Sequence, residues 1–257
     1  MKTATQSPIS GKLLRAPGQS IDRRLTDLAY DMVLPLIMST VVLWVFSLWE
    51  WFRFFSASPP NPLVYTAMAG VFSLYAAFRL IPAIRTGKRL KLGLEGERAV
   101  GELLDRLRAK GYRVFHDVPT GRGNIDHVII CARGIYTIET KTRRKPAQGS
   151  AVVRYDGETL SVNGSRPCEK AIVQARAQAA FLKRYLKDRT SRAYPVRAVV
   201  VFPGWFVKRT RRHANINVWV TEPKALHQWI DRDPPTIDLA DVKMAANTLS
   251  RYIRDFE

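Results

Sequence analysis

The sequence predicts an α/β domain that follows two membrane-spanning helices. Two long runs without charged residues lie in the first third of the chain, at 32–49 and 62–78. Further along, two short apolar runs rich in β-branched residues, 125–131 and 135–140, predict adjacent buried strands. Segments with helical periodicity precede and follow these strands.

The composition favours an anionic partner. The 257 residues include 41 Lys and Arg against 22 Asp and Glu, a formal net charge of +19. An excess of this size is typical of proteins that bind nucleic acid or anionic lipid. The cysteines, Cys131 and Cys168, and the four isolated histidines have no zinc-type spacing and form no disulfide framework. A single disulfide is possible, but we expect reduced thiols in a cytosolic domain.

The uncharged runs predict a transmembrane hairpin over 32–84. The first run, 32–49, has 18 residues, just enough to cross a hydrocarbon core of about 30 Å. An aromatic collar at 51–55 follows it, as is typical of a membrane interface. The second span is extended to 62–82, because the long side chain of Arg79 can reach the interface.

Two alternatives to the hairpin stay open. The first run could be the core of a signal peptide, although its leading region is long and Pro59 follows the small-residue site at 56–58. Both runs could also be buried helices of a soluble bundle. If they are spans, the basic tail 1–31 and the basic linker 85–92 place both termini in the cytoplasm, at the inner cell membrane.

The first helix of the α/β domain is expected over 94–110. Its apolar stripe includes Val100 and Leu104, and Gly111 occupies the position of a C-terminal cap. Glu97 lies on or beside this stripe. A carboxylate in a first turn can simply interact with the helix dipole. Glu97 therefore becomes a candidate for a site only together with other acidic residues.

The two central strands carry charges that buried strands normally lack. Asp126 lies in the first strand, and Glu139 and Lys141 lie at the end of the second. Because side chains alternate along a strand, Glu139 and Lys141 project from the same face. Buried charges are costly unless they are paired or bind a metal. The pattern predicts a functional site, and an internal salt bridge is the structural alternative.

Further elements follow in order: a hairpin at 151–162, a helix at 167–189, a buried strand at 195–202, a basic loop at 203–212, a strand at 216–220, a helix at 223–231 and a helix at 237–252. Gln174 and Gln178 share a face of the long helix, where they would order the site or touch DNA, or be ordinary surface residues. Basic residues are candidates for the nucleic-acid backbone, or for a solvated face: Arg122, Arg143, Arg144, Lys145, Lys208, Arg209, Arg211 and Arg212.

Four motifs occur in a fixed order: GLEGE at 93–97, GNIDH at 123–127, GIYTIETK at 134–141, and Gln174 in a helix. Together they resemble the nuclease-related domain (NERD) family of the PD-(D/E)XK nuclease superfamily, over about 92–205. One departure is that Ile125 stands where the superfamily motif has its dispensable proline. The resemblance implies a restriction-endonuclease-like mixed central sheet flanked by helices. The transmembrane hairpin, which precedes this domain in the chain, lies outside the resemblance.

The expected divisions of the chain are a basic tail (1–31), the transmembrane hairpin (32–84), a juxtamembrane linker (85–92), the nuclease-related domain (93–233) and a C-terminal amphipathic helix (234–257).

The resemblance also implies roles for individual residues. Asp126 and Glu139 match the metal-binding carboxylates, Lys141 matches the lysine of the motif, and Glu97 and Gln174 complete the catalytic set. Mg²⁺, with Mn²⁺ as a substitute, would be held by Asp126, Glu139, the backbone carbonyl of Thr140 and Glu97, because it prefers oxygen ligands. Gln178 joins the nucleic-acid-binding residues.

The expected function is that of a membrane-anchored, metal-dependent endonuclease that hydrolyses phosphodiester bonds in DNA, with RNA as an alternative substrate. Membrane lipid is a second partner, and a homodimer is expected by analogy, because two sites would cut both strands. Two other functions stay open. The same fold could serve as a catalytically inactive nucleic-acid-binding or scaffold protein, or the positive charge could serve anionic lipid alone.

Overall fold

The computed structural model describes residues 14–56, 62–121, 123–145, 151–164, 169–209 and 217–256. The chain divides into two compact units. One is Ser20–Leu92, and the other is Gly93–Glu257 together with the segment that ends at Gln19. The segment before the hairpin, predicted as a basic tail, therefore contributes residues 14–19 to the unit that contains the sheet.

The unit Ser20–Leu92 is a helical hairpin. Helix α1 (Gln19–Asp27) continues through a π-helical stretch (Leu28–Val33) into α2 (Leu34–Phe55). Trp44 Nε1 donates to Ser73 Oγ at 3.1 Å, and Trp51 Nε1 donates to Thr66 Oγ1 at 3.2 Å, so α2 and the start of the next helix run antiparallel. Both helices are long and apolar enough to cross a membrane.

Most of the apolar side chains of this hairpin point outwards. Val45, Phe46 and Leu48 are all more than half exposed. In the most apolar stretch of the first helix, only 6% of the residues are buried. A helix in the core of a soluble protein would be mostly buried, whereas an outward apolar surface suits lipid. Length and composition by themselves do not distinguish a span from a signal sequence.

Helix α3 (Pro62–Asp105) is longer than expected. It runs without a break through 85–92, the segment predicted as a linker, and it includes most of the separate helix predicted over 94–110. Most residues of the linker are good helix formers, so nothing in it ends the helix. A 3₁₀ turn (Arg106–Lys110) follows, and Gly111, at φ 84°, ends it in the left-handed conformation expected of a cap.

The second unit is built on a mixed sheet. In the described part of this unit the strands are β1 (Arg113–Pro119), β2 (Asn124–Cys131), β3 (Gly134–Thr140), β4 (Val152–Tyr155), β5 (Leu160–Val162), β6 (Val196–Val201), β7 (Phe206–Arg209) and β8 (Val218–Thr221). The main sheet has the order β1-β2-β3-β6-β8, antiparallel from β1 to β3 and parallel from β3 to β8. The α/β class with a mixed sheet, predicted from the sequence, is confirmed.

Helices cover both faces of the main sheet. The remaining helices are α4 (Glu169–Thr190), α5 (Pro223–Arg232) and α6 (Leu239–Asp255). On one face, Leu182 of α4 and Leu249 of α6 pack with Ile130 and Ile135 of the sheet. On the other, residues of α3 and α5 pack around Trp219. Helix α6 therefore belongs to the same compact unit as the sheet.

A small second sheet has the order β5-β4-β7. The predicted hairpin around Asp156-Gly157 is present as β4 and β5. Strand β7 lies within 203–212, which was predicted as a loop. It pairs in parallel with β4, and only this tertiary pairing makes it a strand, because Phe206 and Lys208 are both exposed.

Candidate active site

Asp126 and Glu139 lie on the neighbouring strands β2 and β3. The Asp126 Oδ2 atom accepts a hydrogen bond from the backbone N–H of Thr140 at 2.6 Å. Glu139 is 3% exposed and is contacted through both oxygens. Lys141 Nζ lies 2.5 Å from Oε1, and Gln178 Nε2 donates to Oε2 at 2.5 Å. The buried charge of Glu139 is therefore paired and hydrogen-bonded, which a buried carboxylate requires.

Helix α4 supplies two amides to this network. Lys141 Nζ donates to Gln174 Oε1 at 3.0 Å, while Gln178 Nε2 also donates to the backbone oxygen of Asn124 at 3.1 Å. Residues four apart lie on the same face of a helix. The two glutamines therefore bridge β2, β3 and the lysine, and neither is an ordinary surface residue.

Glu97 approaches the same region from α3. The pKa of Glu97 is raised to about 7, chiefly by burial and also by the charges of Asp117 and Glu139, while the charge of Lys141 opposes the rise. Burial also raises the pKa of Asp126 well above its usual value, with Glu139 and Glu97 as the next causes. These carboxyl groups share one region of negative potential, as acidic residues at a functional site commonly do.

A close backbone approach brings α3 to this region. A Cβ atom on Gly96 would lie 1.7 Å from Thr142 Oγ1, so only glycine fits beside the chain that leaves β3. Glu97 follows Gly96 directly. The glycine therefore sets how near the Glu97 turn comes to Lys141 and Thr142.

Asp117 is an acidic residue of this region that the sequence reasoning missed. It is buried, with φ 50°, in β1. The paired residues on either side of it are His116 with His127 and Val118 with Ile125. Asp117 accepts from Asn124 Nδ2 at 2.7 Å and pairs with Arg15 at 3.4 Å. A charged residue in an apolar strand is the signal that could have identified Asp117, and the same kind of signal identified Asp126.

The histidines lie elsewhere. His127 follows Asp126 in β2, so its ring projects from the opposite face of the sheet. Its Nδ1 lies 2.9 Å from Nδ1 of His116, whose Nε2 lies 3.1 Å from Asp105 Oδ1. Burial lowers the pKa of both imidazoles. They form a separate buried cluster and do not contribute to the carboxylate site.

The basic residues expected to hold nucleic acid have different environments. Arg143, Arg144 and Lys145 are exposed, and Trp205 Nε1 donates to the backbone oxygen of Arg143 at 3.2 Å. This contact joins the segment after β3 to the loop before β7. Lys208 on β7 is also exposed.

Arg209 is half-buried. Its guanidinium lies 3.6 Å from the centroid of the Trp229 ring, and burial lowers its pKa. Arg209 therefore packs against another side chain of the domain, whereas Lys208 is exposed to solvent. Arg122, Arg211 and Arg212 lie outside the described residues.

The donor set fits a hard divalent cation in its chemistry. Asp126, Glu139 and Glu97 offer carboxylate oxygens. Burial and then mutual repulsion raise the pKa of Asp126 and Glu97, and a cation would favour their charged forms. Thr140, whose carbonyl is the other predicted ligand, directly follows Glu139. Within the described ranges, however, no three or more His, Cys, Asp or Glu side chains form a group that could hold a metal ion. The carboxylates contact amides and the lysine instead.

Comparison with known proteins agrees with the sequence motifs. Residues 92–203 match the family model of NERD, the nuclease-related domain. The matched stretch contains the carboxylates, the lysine and both glutamines. Curated proteins give no match to the chain. Among solved structures, SfsA of Pyrococcus furiosus in complex with Ca²⁺ aligns at 16% identity with a TM-score of 0.26, over 49% of this chain and 55% of that chain. A TM-score of this size carries no argument about function.

Proposed function

We propose that the protein is a membrane-anchored, divalent-metal-dependent nuclease that hydrolyses phosphodiester bonds in DNA. The observation that carries the proposal is the hydrogen-bonded network of Lys141, Gln174 and Gln178 around the buried Glu139, with Asp126 and Glu97 beside it, inside the stretch that matches the nuclease-related domain. A salt bridge alone would need neither the further carboxylates with raised pKa values nor the second glutamine.

We assign each residue a role that is consistent with its place in the site. Asp126, Glu139, Glu97 and the carbonyl of Thr140 would hold Mg²⁺, or Mn²⁺ in its place. The chemistry that the bound cation supplies is activation of a water nucleophile and neutralisation of charge on the phosphate. Lys141, fixed by Glu139 and Gln174, would hold the attacking water or a phosphate oxygen. The exposed residues Arg143, Arg144, Lys145 and Lys208 would contact the DNA backbone.

The helical hairpin would anchor this site. Its outward apolar surface suits the lipid interior, and the basic residues on both sides of the two spans favour the cytoplasm for the termini and the nuclease domain. The proposed partners are therefore DNA, with RNA as an alternative substrate, and membrane lipid, and a homodimer would allow cleavage of both strands.

Cleavage by the full-length chain in detergent tests the proposal. Supercoiled plasmid, linear duplex and RNA are incubated with Mg²⁺, with Mn²⁺ or with EDTA. We expect nicking in the presence of either cation, and a loss of at least about 100-fold in Asp126→Asn and Lys141→Met. The matched controls Asp188→Asn and Lys187→Met change the same charges at exposed positions of α4 and should retain the activity.

A wild-type protein that cuts no better than Asp126→Asn on any substrate would rule out the nuclease. If such a protein still bound DNA, the inactive nucleic-acid-binding function would replace it. Addition of Mg²⁺ gives a second measurement without turnover. It should raise the Tm of the wild type but not that of Asp126→Asn, because a ligand of the folded state stabilises it.

A further inference from the structure

A groove extends from the candidate active site along α4. Its volume is about 770 Å³, and its walls are the chain around residues 120, 121, 123 and 124 on one side and α4 on the other. The α4 side chains that line it are Gln174, Ala177, Gln178, Phe181 and Arg184. Gln174 and Gln178 also contact Lys141 and Glu139, so one end of the groove is the site itself.

The spacing along α4 sets the length of the groove. Positions 174, 178, 181 and 184 follow the three- and four-residue steps that keep side chains on one helical face. At a rise of about 1.5 Å per residue, Phe181 lies roughly 10 Å and Arg184 roughly 15 Å beyond Gln174. These distances suit the nucleotides next to the bond that is cut.

Phe181 presents a braced aromatic surface. Its ring stacks on Tyr185, with centroids 6.3 Å apart and an interplanar angle of 16°, and also contacts Tyr252 at 6.3 Å. The side chain is half-buried and lines the groove. An aromatic ring held from behind in a groove is the arrangement on which an unpaired base stacks, because every base has a π-face.

Two polar side chains in the groove can bind a ligand. Arg184 is exposed at its far end, where a guanidinium can bind a phosphate. Gln178 is only 6% exposed, and its Oε1 atom accepts no hydrogen bond from the described part of the chain, although its Nε2 atom makes two. A buried acceptor is normally satisfied. A donor from a bound molecule would satisfy this one.

We propose that this groove binds unpaired nucleotides, with a base stacked on Phe181 and a phosphate on Arg184. The inference rests on the proposed function and narrows its substrate to single strands or to unwound and mismatched duplex. In an intact duplex each base is already stacked between its neighbours and has no free face for Phe181.

Binding of the full-length chain in detergent, measured by fluorescence anisotropy in EDTA, tests the groove without turnover. The probes are oligo(dT) and oligo(U) of about 16 nucleotides, an abasic strand of the same length and a duplex. We expect the oligonucleotides with bases to bind roughly tenfold more tightly than the abasic strand, which keeps only the phosphates. The DNA and RNA arms identify which strand is preferred.

Variants locate the effect. Phe181→Leu keeps an apolar side chain against Tyr185 but lacks a ring, and should lower the affinity for oligo(dT) to that for the abasic strand. Phe181→Tyr should restore it. Arg184→Ala should weaken binding of every strand and reduce the salt dependence by about one phosphate contact, whereas Lys187→Ala, an exposed control on α4, should do neither.

Equal binding of oligo(dT) and the abasic strand by the wild type would overturn the groove proposal, whether or not Phe181→Leu folds. Unchanged binding by a folded Phe181→Leu would overturn it as well. The nuclease proposal fails separately: an inactive protein whose binding still depends on Phe181 would retain the groove and lose the reaction.

Discussion

Glu97 is the residue whose protonation we expect to change at neutral pH. Its pKa is raised from the ordinary value of 4.5 to about 7, chiefly by burial. Because the pKa of Glu97 is higher in the folded chain than in the unfolded chain, there is a pH range in which the folded chain keeps the proton and the unfolded chain has lost it. The stabilising contribution is therefore complete below about pH 4.5 and is lost as the pH rises towards 7.

Glu97→Gln should remove this dependence. Without divalent cations, we expect the variant to match the wild type near pH 4.5 and to exceed it near pH 8, by up to about 3 kcal/mol in the free energy of unfolding. Thermal unfolding of the full chain in EDTA across this range measures the difference. Glu95→Gln, at an exposed position of α3, is the control and should leave the pH profile unchanged. A Glu97→Gln profile parallel to that of the wild type would contradict the prediction.

The sequence identified most residues of the candidate site but not their contacts. Asp126, Glu139 and Lys141 were found because charges in apolar strands are conspicuous. Asp117 satisfies the same criterion, yet it lies outside the motifs and was overlooked. Arg15 carried no local signal at all, since its ion pair with Asp117 joins residues 102 positions apart. Pairings of this kind follow from tertiary structure and not from spacing.

Among the elements, the meeting of α3 with the chain after β3 decides the position of the site. The space between Gly96 and Thr142 admits no further atom. Overpacking at a buried contact typically costs about 1–3 kcal/mol. Because Gly96 has no side chain, the Glu97 turn can approach the end of β3 this closely.

Gly96→Ala should lower the free energy of unfolding by about 1–3 kcal/mol and reduce cleavage, because α3 must move away from Thr142. Thr142→Gly in the same chain should recover part of the loss, which gives a coupling energy of about 1 kcal/mol or more in a double-mutant cycle. Gly87→Ala is the matched control on α3. The nearest atom to its new Cβ lies at 3.7 Å, an ordinary contact, and the change should be neutral or stabilising. Additive effects of Gly96→Ala and Thr142→Gly would refute the steric account.

The strands of the main sheet could be predicted closely, whereas helix limits and β7 could not. Strands β2 and β3 have continuous apolar runs and a glycine-containing connection, and their limits agree with the predicted ones within a residue. Helix α3 was predicted in two pieces because the change from apolar to basic residues resembles a boundary, although the backbone has no reason to stop there. Strand β7 exists through its pairing with β4, which no local pattern records.

At the scale of the whole molecule, the outward apolar surface of the hairpin makes the proposed membrane insertion testable. Val45 in α2 is 58% exposed, and Val173 in α4 is 63% exposed. In water, arginine would be tolerated equally at both positions. In a bilayer, a charge near the centre of a span costs about 2.5–3.5 kcal/mol, and only Val45 would meet that cost.

Val45→Arg should therefore lower the fraction of protein that stays with membranes after an alkaline carbonate wash, and Val173→Arg should not. Both variants are compared with the wild type after expression at the same level. Release of the wild-type protein into the soluble fraction by the wash would contradict membrane insertion. Equal retention of both arginine variants would show that 34–55 does not meet the lipid interior.

The ion pair between Arg15 and Asp117 has a consequence for how the protein is made and handled. Arg15 leaves the ribosome 102 residues before Asp117, an interval of at least about 5 s at usual rates of synthesis. Both hairpin helices are synthesised in that interval, so the contact closes only after them. A fragment that begins after the hairpin never acquires Arg15. It lacks this ion pair to the buried Asp117, and we expect its free energy of unfolding to be lower than that of the intact chain.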